Sequence, residues 1–145
     1  MATGERNDPY AGHHFVIDIE NVGSAGFSEC TGLTMENDAI DYREGSEPTT
    51  HVRKIPGLAK YTPIVLKRGF TKDKRLWNWR KAVIDGKTQR ASGTIILRDE
   101  QLNPVLTWKF FEGWPSKLEG PNLNAKTNDI AIETLTIVVE SIEVE

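Results

Sequence analysis

The residues best suited to chemistry in this chain are three histidines and one cysteine, and their spacing does not assemble a site. His13 and His14 are adjacent, and His51 lies far along the chain. Neighbouring residues on a strand point to opposite faces, so the adjacent pair is not expected to share a metal ion. Nothing near Cys30 suggests an activating base, which favours a small buried residue over a nucleophile. We therefore predict no metal and no cofactor.

The glycine and carboxylate patterns do not indicate catalysis either. The stretch GSAGF lacks the GxGxxG spacing, and no GxxxxGK[ST] motif occurs. The carboxylate pairs Asp18/Glu20 and Asp99/Glu100 would need a cleft that the sequence does not announce. Because no motif supports a reaction, we predict that the chain is not an enzyme.

The stretch KRGFTKDKRLWNWRK, residues 67–81, mixes cations with aromatic residues. Such a mixture can grip phosphates and stack bases. It keeps open an alternative function, a monomeric β-barrel module that binds nucleic acid through this segment. A helix would instead place its tryptophans in the core and its lysines in water. The cations are Lys67, Arg68, Lys72, Lys74, Arg75, Arg80 and Lys81, and the aromatic residues are Phe70, Trp77 and Trp79.

One helix is predicted over about residues 73–85. Thr71 can cap its first amides, Asp73 suits its positive end, and Gly86 is placed to terminate it. Its apolar residues cover an arc of about 220°, wider than one core face needs. The surplus suggests burial by a neighbouring molecule. The residues expected to pack the helix are Leu76, Trp77 and Val83.

Most of the remaining chain has the patterns of β-strands. Strands are predicted over residues 14–20, 27–35, 64–68, 93–98, 105–111 and 130–139, followed by an acidic alternation to the C-terminus. The proline and glycine of PGLAKYTP predict a break. A length of 145 residues suits one domain. The sequence thus predicts a single, mainly β domain over residues 1–145.

Residues 37–60 alternate like a strand yet offer little to bury. Residues 36–47 contain five acids and one base, whereas residues 53–90 contain twelve bases and two acids. Segregated charge of both signs suits a protein that docks onto its own copies, and it also fits solvated faces of a monomer. We interpret the segment as an assembly arm that lies on another copy of the chain.

The composition favours a protein made in the cytosol. The net charge is −3, and charged residues make up 27% of the chain. The longest apolar run is far shorter than the roughly 20 residues that span a bilayer. The N-terminal stretch has no apolar core of a signal peptide. With one cysteine, an internal disulfide cannot form.

An ordered set of motifs resembles the inner tube proteins of contractile tails. They are DPYAGHHFVIDIE, GFSECTGL, IDYREGSE, VRKIPGLAKYTPIVLKRG, LWNWRKAVIDG, GTIILRDE and WKFFEGWPSKLEGPNLNAKTNDIAIETLTIVVE. They are similar to contractile phage tail tube proteins, and especially to their relatives in extracellular contractile injection systems. The Hcp tube of type VI secretion shares them less well. The motifs leave open whether the particle is a phage tail or an injection system.

The resemblance implies two packed antiparallel sheets, a sandwich or partial barrel, with one flanking helix and a hairpin-like arm. It also implies that six copies form a ring and that rings stack into a rigid tube. The implied partners are a surrounding sheath, baseplate or spike and terminator proteins, and a luminal cargo of toxin or DNA. The particle would be extracellular, cell-associated or a virion tail. Contacts between rings or subunits are expected at Tyr42, Arg43, Glu44, Glu47, Arg53 and Lys54.

Overall fold

The computed structural model describes residues 9–20, 22–48, 50–126 and 128–145. Thr49, within the predicted arm, and residues 1–8, where a signal peptide would begin, lie outside the described part. The described residues form ten strands and one helix. These are β1 (Phe15–Ile19), β2 (Gly23–Ala25), β3 (Glu29–Thr31), β4 (Met35–Tyr42), β5 (Arg53–Tyr61), β6 (Ile64–Gly69), α1 (Arg75–Ile84), β7 (Ala91–Arg98), β8 (Pro104–Glu119), β9 (Ile132–Val138) and β10 (Ser141–Val144).

The long strand β8 joins two antiparallel sheets. Its first half pairs with β7 and β10, and its second half pairs with β9. The strand order is β2-β1-β7-β8-β9-β6-β3, and the ends of this order do not meet. Glu112 has a φ of 53° near the change of partner, where the pairing register also shifts. The fold prediction of two antiparallel sheets with one helix is confirmed, and the sheet is not closed.

Alternation along the strands builds the core between the two sheets and the helix. On β6 the inward residues Ile64 and Leu66 are buried. The ring of Phe110 lies over Gly93 and Gly113, and a Cβ at either glycine would overlap it. These glycines make room for Phe110, the largest fully buried side chain of the core. The buried apolar residues are Ile17, Ile19, Val22, Ile64, Leu66, Leu76, Trp79, Ala91, Ile95, Phe110, Leu135, Ile137, Val139 and Ile142.

The helix lies where it was predicted, but its start differs from the expectation. Asp73 Oδ1, rather than Thr71, accepts the hydrogen bond from the backbone N–H of Arg75 at 3.0 Å. Thr71 Oγ1 instead accepts from the N–H of Asp73. Gly86 ends the helix with a φ of 78° and donates its N–H to the carbonyl of Val83. The described residues contain no helix long and apolar enough to cross a membrane.

Trp79, and not Trp77 as expected, packs the helix against the core. Leu76 and Trp79 are buried, whereas Trp77 is 55% exposed and Val83 is partly buried. Leu76 and Trp79 are three residues apart and share one face of the helix, while Trp77 is turned about 100° from Leu76. The indole Nε1 of Trp79 donates to the carbonyl of Gln89 at 2.7 Å, which satisfies its polar atom inside the core.

Two strand predictions are wrong for identifiable reasons. Residues 27–35 do not form one strand, because Gly32, with a φ of 93°, turns the chain between β3 and β4. Pro56 and Gly57 do not break the chain, because β5 runs through both. The two-stranded sheet leaves one side of β5 unpaired, where a proline without an N–H costs no ladder hydrogen bond.

Candidate functional site

The predicted arm is a two-stranded hairpin of β4 and β5. Asp41 pairs with Lys54 and Ile40 with Ile55, and the register shifts once between Asn37 and Ala39. Every residue of β4 is exposed. The side chains of β4 therefore add nothing to the core of the chain.

The charged side chains of the arm pair with one another. Arg53 Nη2 lies 2.8 Å from Glu47 Oε1, and Lys54 forms an ion pair with Asp41. Lys60 lies 3.1 Å from Asp38, and this hydrogen-bonded carboxylate raises the pKa of the lysine. The sequence analysis expected Arg53 and Lys54 to contact a neighbouring copy. Within the chain, Lys54 and Lys60 link β5 to β4, and Arg53 links β5 to Glu47 in the loop between the two strands.

The remaining predicted contact residues lie around the tip of the hairpin. The hydroxyl of Tyr42 donates to Glu44 Oε1 at 3.2 Å, and Arg43 Nη2 donates to the carbonyl of Glu47 at 3.2 Å. The structure thus brings Tyr42, Arg43, Glu44, Glu47 and Arg53 into one connected cluster. This cluster holds the tip in a defined shape, which a docking surface needs.

The arm also exposes apolar side chains. Leu58 is 86% exposed. Ile40 and Tyr42 share one face of β4, and Ile55 lies directly opposite Ile40 on β5. The large apolar residues exposed on or beside the arm are Met35, Ile40, Tyr42, Val52, Ile55 and Leu58. Sequence reasoning stressed the charges and undervalued this apolar face, although the same alternation encoded it.

A second exposed apolar surface is a groove between the helix and β9. Phe70 and Trp77 line it together with Lys72, Lys74 and Glu133, and its volume is about 710 Å³. Both aromatic rings are more than half exposed. Asp73 also lines the groove, so its charged rim carries both signs, and an apolar groove with a polar rim has the composition of a protein contact rather than of a catalytic cleft.

A buried ion pair fixes the start of the helix to the sheet that contains β6 and β9. Arg68 and Glu133 are both buried and form a hydrogen-bonded ion pair across β6 and β9. Arg68 also contacts Asp73 at 3.4 Å and donates to its backbone carbonyl at 3.2 Å. Arg75 in turn holds the pKa of the Asp73 carboxyl well below its usual range through hydrogen bonds and charge. Register between β6 and β9 creates this cluster, and a sequence alone does not show it.

These contacts occupy most of the cations that favoured nucleic-acid binding. Arg68 is buried, and Arg75 donates to Asp73 and to the carbonyl of Val22. Lys67 lies 3.8 Å from Glu29, and Lys81 lies 2.9 Å from Asp85. Among the described residues of this segment, the cations whose side chains form no hydrogen bond or ion pair are Lys72, Lys74 and Arg80. Lys72 and Lys74 line the groove with the exposed Phe70 and Trp77, whereas Trp79 is buried and offers no face to a base.

Cys30 is partly buried beside the core and is not activated as a nucleophile. It lines a small cavity with Phe15, Leu33, Ile95 and Trp108. Burial raises the pKa of its thiol from an ordinary 9.0 to about 11. The reactive thiolate is therefore scarce at neutral pH.

Cys30 is expected to react about a hundredfold more slowly with iodoacetamide in the native chain than in the unfolded chain at pH 8. The factor follows from a pKa raised by about two units, which lowers the thiolate fraction about a hundredfold. Native stability should fall as pH rises from about 9 to 11, because the unfolded chain loses the proton first. Alkylation followed by mass spectrometry measures the reaction rate of Cys30 in the native and the unfolded chain. Equal rates in the two states would contradict it.

The two adjacent histidines lie together, contrary to the strand argument. Their ring centroids are 4.2 Å apart, and both rings approach Glu100. His13 and His14 precede β1, in and just after a turn, so the alternation of a strand does not separate them. His51 lies within the arm, in the loop between β4 and β5.

Solved structures with the same fold come from contractile injection systems. A chain of the PVC sheath-tube complex in the extended state has a TM-score of 0.84 and 24% identity, covering 94% of this chain and 91% of that one. A chain of the anti-feeding prophage tube-terminating cap has a TM-score of 0.88 and 21% identity, covering 99% and 95%. Hcp1 from Flavobacterium johnsoniae has a TM-score of 0.56 and 15% identity, covering 90% and 93%. The chain therefore has an Hcp-like fold.

The sequence of the chain shows which protein family it belongs to. The model of the T4-like virus tail tube protein gp19 matches residues 11–143, and no curated protein matches in a sequence search. The chain belongs to the T4-like virus tail tube protein family. It is a structural tail tube protein, which confirms the resemblance drawn from its motifs.

Proposed function

We propose that six copies of this chain form a ring and that rings stack into a rigid hollow tube that conducts cargo through a target envelope. The observation that carries this proposal is an exposed hairpin arm on an open antiparallel sheet, in a member of the tail tube family. In a monomer the arm exposes apolar side chains to water, and β4 adds none to the core. Contact with a second copy of the chain would bury that apolar surface.

Ring formation is supported by the ends of the open sheet. The terminal strands β2 and β3 contain three residues each and leave backbone N–H and C=O groups unpaired on one side. Joining edges between copies would close the sheets of six chains into one inner barrel and remove the free edges. A baseplate that contains a similar chain was symmetrised six-fold. This supports a ring of six.

Stacking is assigned to the arm. Its cluster of Tyr42, Arg43, Glu44, Glu47 and Arg53 forms a fixed, charged tip, and Ile40 and Ile55 add an apolar face. Contacts between successive rings are heterologous, since one surface must meet a different one on the next copy. A tip with a rigid shape and both charge signs fits such a contact. Lys54, which pairs with Asp41 within the chain, would then also contact a carboxylate of the neighbouring ring or exchange Asp41 for it.

The further partners follow from the complexes in which similar chains occur. Those complexes are a sheath-tube assembly, a baseplate, a tube-terminating cap and a sheath/tube terminator. We propose that this chain contacts a sheath on its outer face and a baseplate and a terminator at the tube ends. The luminal cargo is a toxin protein or DNA, the particle is extracellular or a virion tail, and the chain itself catalyses no reaction.

Light scattering of the purified chain tests ring formation. The chain mass is 16.3 kDa, so a ring of six has a mass of about 98 kDa and stacked rings have multiples of it. We expect a ring-sized species whose proportion rises with concentration. A species that stays at dimer or trimer mass at every concentration would contradict a closed ring of six.

A further inference from the structure

We propose that His13, His14 and Glu100 bind a divalent transition-metal ion of the zinc class. Each residue offers one ligand atom, and the three atoms lie within 4.8 Å of one another. His13 Nε2 lies 3.6 Å from Glu100 Oε1, and His14 Nε2 lies 3.8 Å from Glu100 Oε2. Neither the family nor the proposed tube function requires this site.

The donor set selects the kind of metal. Two imidazole nitrogens and one carboxylate oxygen suit Zn²⁺ and neighbouring transition metals, whereas Ca²⁺ and Mg²⁺ prefer oxygen ligands alone. In a tetrahedral zinc site, ligand atoms about 2.0–2.2 Å from the metal lie roughly 3.3 Å from one another. The observed separations exceed this by less than about 1.5 Å. A water molecule would complete the coordination.

The side chains are free to close this gap while their backbones are held. The exposed fractions of the His13, His14 and Glu100 side chains are 59%, 36% and 76%, so each can rotate without disturbing the core. The carbonyl of His14 accepts the N–H of Arg98 at 2.8 Å, which ties the histidines to the end of β7. The ligands therefore start from a nearly correct arrangement.

The turn that carries Glu100 is fixed by its own hydrogen bonds. Asp99 Oδ1 accepts the backbone N–H of Gln101 and of Asn103, each at 2.9 Å. The N–H of Leu102 donates to the carbonyl of Asp99 at 2.9 Å. Such a turn holds Glu100 over the histidines in a defined position.

The cavity beside the site carries charges of both signs. It has a volume of about 270 Å³ and is lined by His14, Arg98, Asp99 and Glu100, among others. The guanidinium of Arg98 opposes cation binding, and the carboxylates of Asp99 and Glu100 offset it. A bound metal would fasten the segment before β1 to the turn between β7 and β8.

Isothermal titration of zinc sulfate into the tag-free full-length chain, after chelator treatment, tests the proposal. We expect one Zn²⁺ per chain whatever the assembly state. Each of His13→Ala, His14→Ala and Glu100→Gln should weaken binding about tenfold or more. His51→Ala removes the remaining histidine, which lies in the loop of the arm, and should leave the affinity unchanged. Circular dichroism establishes that each variant is folded.

A thermal-unfolding measurement supplies an independent readout. Saturating zinc should raise the unfolding temperature of the parent chain and of His51→Ala, because the metal binds the folded state, and should leave His13→Ala unshifted. Three results would overturn the proposal. They are binding without a stoichiometry of one, equal loss in His51→Ala, and unchanged affinity in Glu100→Gln, which would reduce the site to an adventitious histidine pair.

Discussion

Reversing the charges of Arg53 and Lys54 to glutamate is expected to leave each chain folded and its rings intact, and to shorten the tubes sharply. Both side chains are more than 60% exposed, so the core does not depend on them. An exposed ion pair contributes about 0–1 kcal/mol, and a ring repeats it six times. Six such contacts contribute up to about 6 kcal/mol per ring–ring interface, and a loss of about 3 kcal/mol would already lower the stacking constant more than a hundredfold.

A charge-swapped variant separates stacking from stiffness of the arm. Arg53 and Lys54 pair with Glu47 and Asp41 of the same arm, so their reversal also breaks those pairs. The variant with Glu47→Arg, Arg53→Glu, Asp41→Lys and Lys54→Asp restores both internal pairs with opposite polarity. We expect its tubes to remain short, as measured by electron microscopy. Tubes of normal length from the simple reversal would refute the stacking role, and rescue by the swap would assign the effect to stiffness alone.

Replacing Arg68 with alanine is expected to destabilise the chain by about 3–5 kcal/mol. The change leaves Glu133 buried without its partner, and an uncompensated buried charge costs several kcal/mol. It also removes two contacts to Asp73 at the start of the helix. Urea unfolding of the dispersed chain, followed by circular dichroism, measures the free energy of unfolding.

Two controls test that mechanism. Lys67 adjoins Arg68 on the same strand, but its side chain is partly exposed and its ion pair with Glu29 is wet, so Lys67→Ala should cost less than about 1 kcal/mol. The double variant Arg68→Leu with Glu133→Leu removes both charges and should lose much less stability than Arg68→Ala. A loss below about 1 kcal/mol in Arg68→Ala, or a larger loss in the double variant, would exclude the buried charge as the cause.

Local sequence patterns predicted the helix and those strands whose formation can be recognised without knowing which elements they pack against. The helix was expected over residues 73–85 and runs over Arg75–Ile84, since a terminating glycine and a long periodic stretch mark it. Two-residue alternation located β1, β6, β7 and β9 within a few residues. The arm could be predicted because charged residues are frequent and large apolar residues are few along its length.

Features that depend on distant residues were not predictable. Trp77 and Trp79 are both apolar helix residues, and only the position of the sheets determines that Trp79 is buried. The pairing of Arg68 with Glu133 depends on the register of two strands. The proximity of His13 to His14 depends on where β1 begins, because two more residues of strand at its start would have placed the two side chains on opposite faces.

Negative-stain electron microscopy of the purified, concentrated chain tests the central claim most directly. The account predicts six-fold rings with a central hole and stacks of such rings with constant width. Rings of another symmetry, or solid filaments without a hole, would contradict a conduit built by joining open sheets. Particles that remain single 16.3 kDa chains at the highest concentration would contradict assembly by this chain alone.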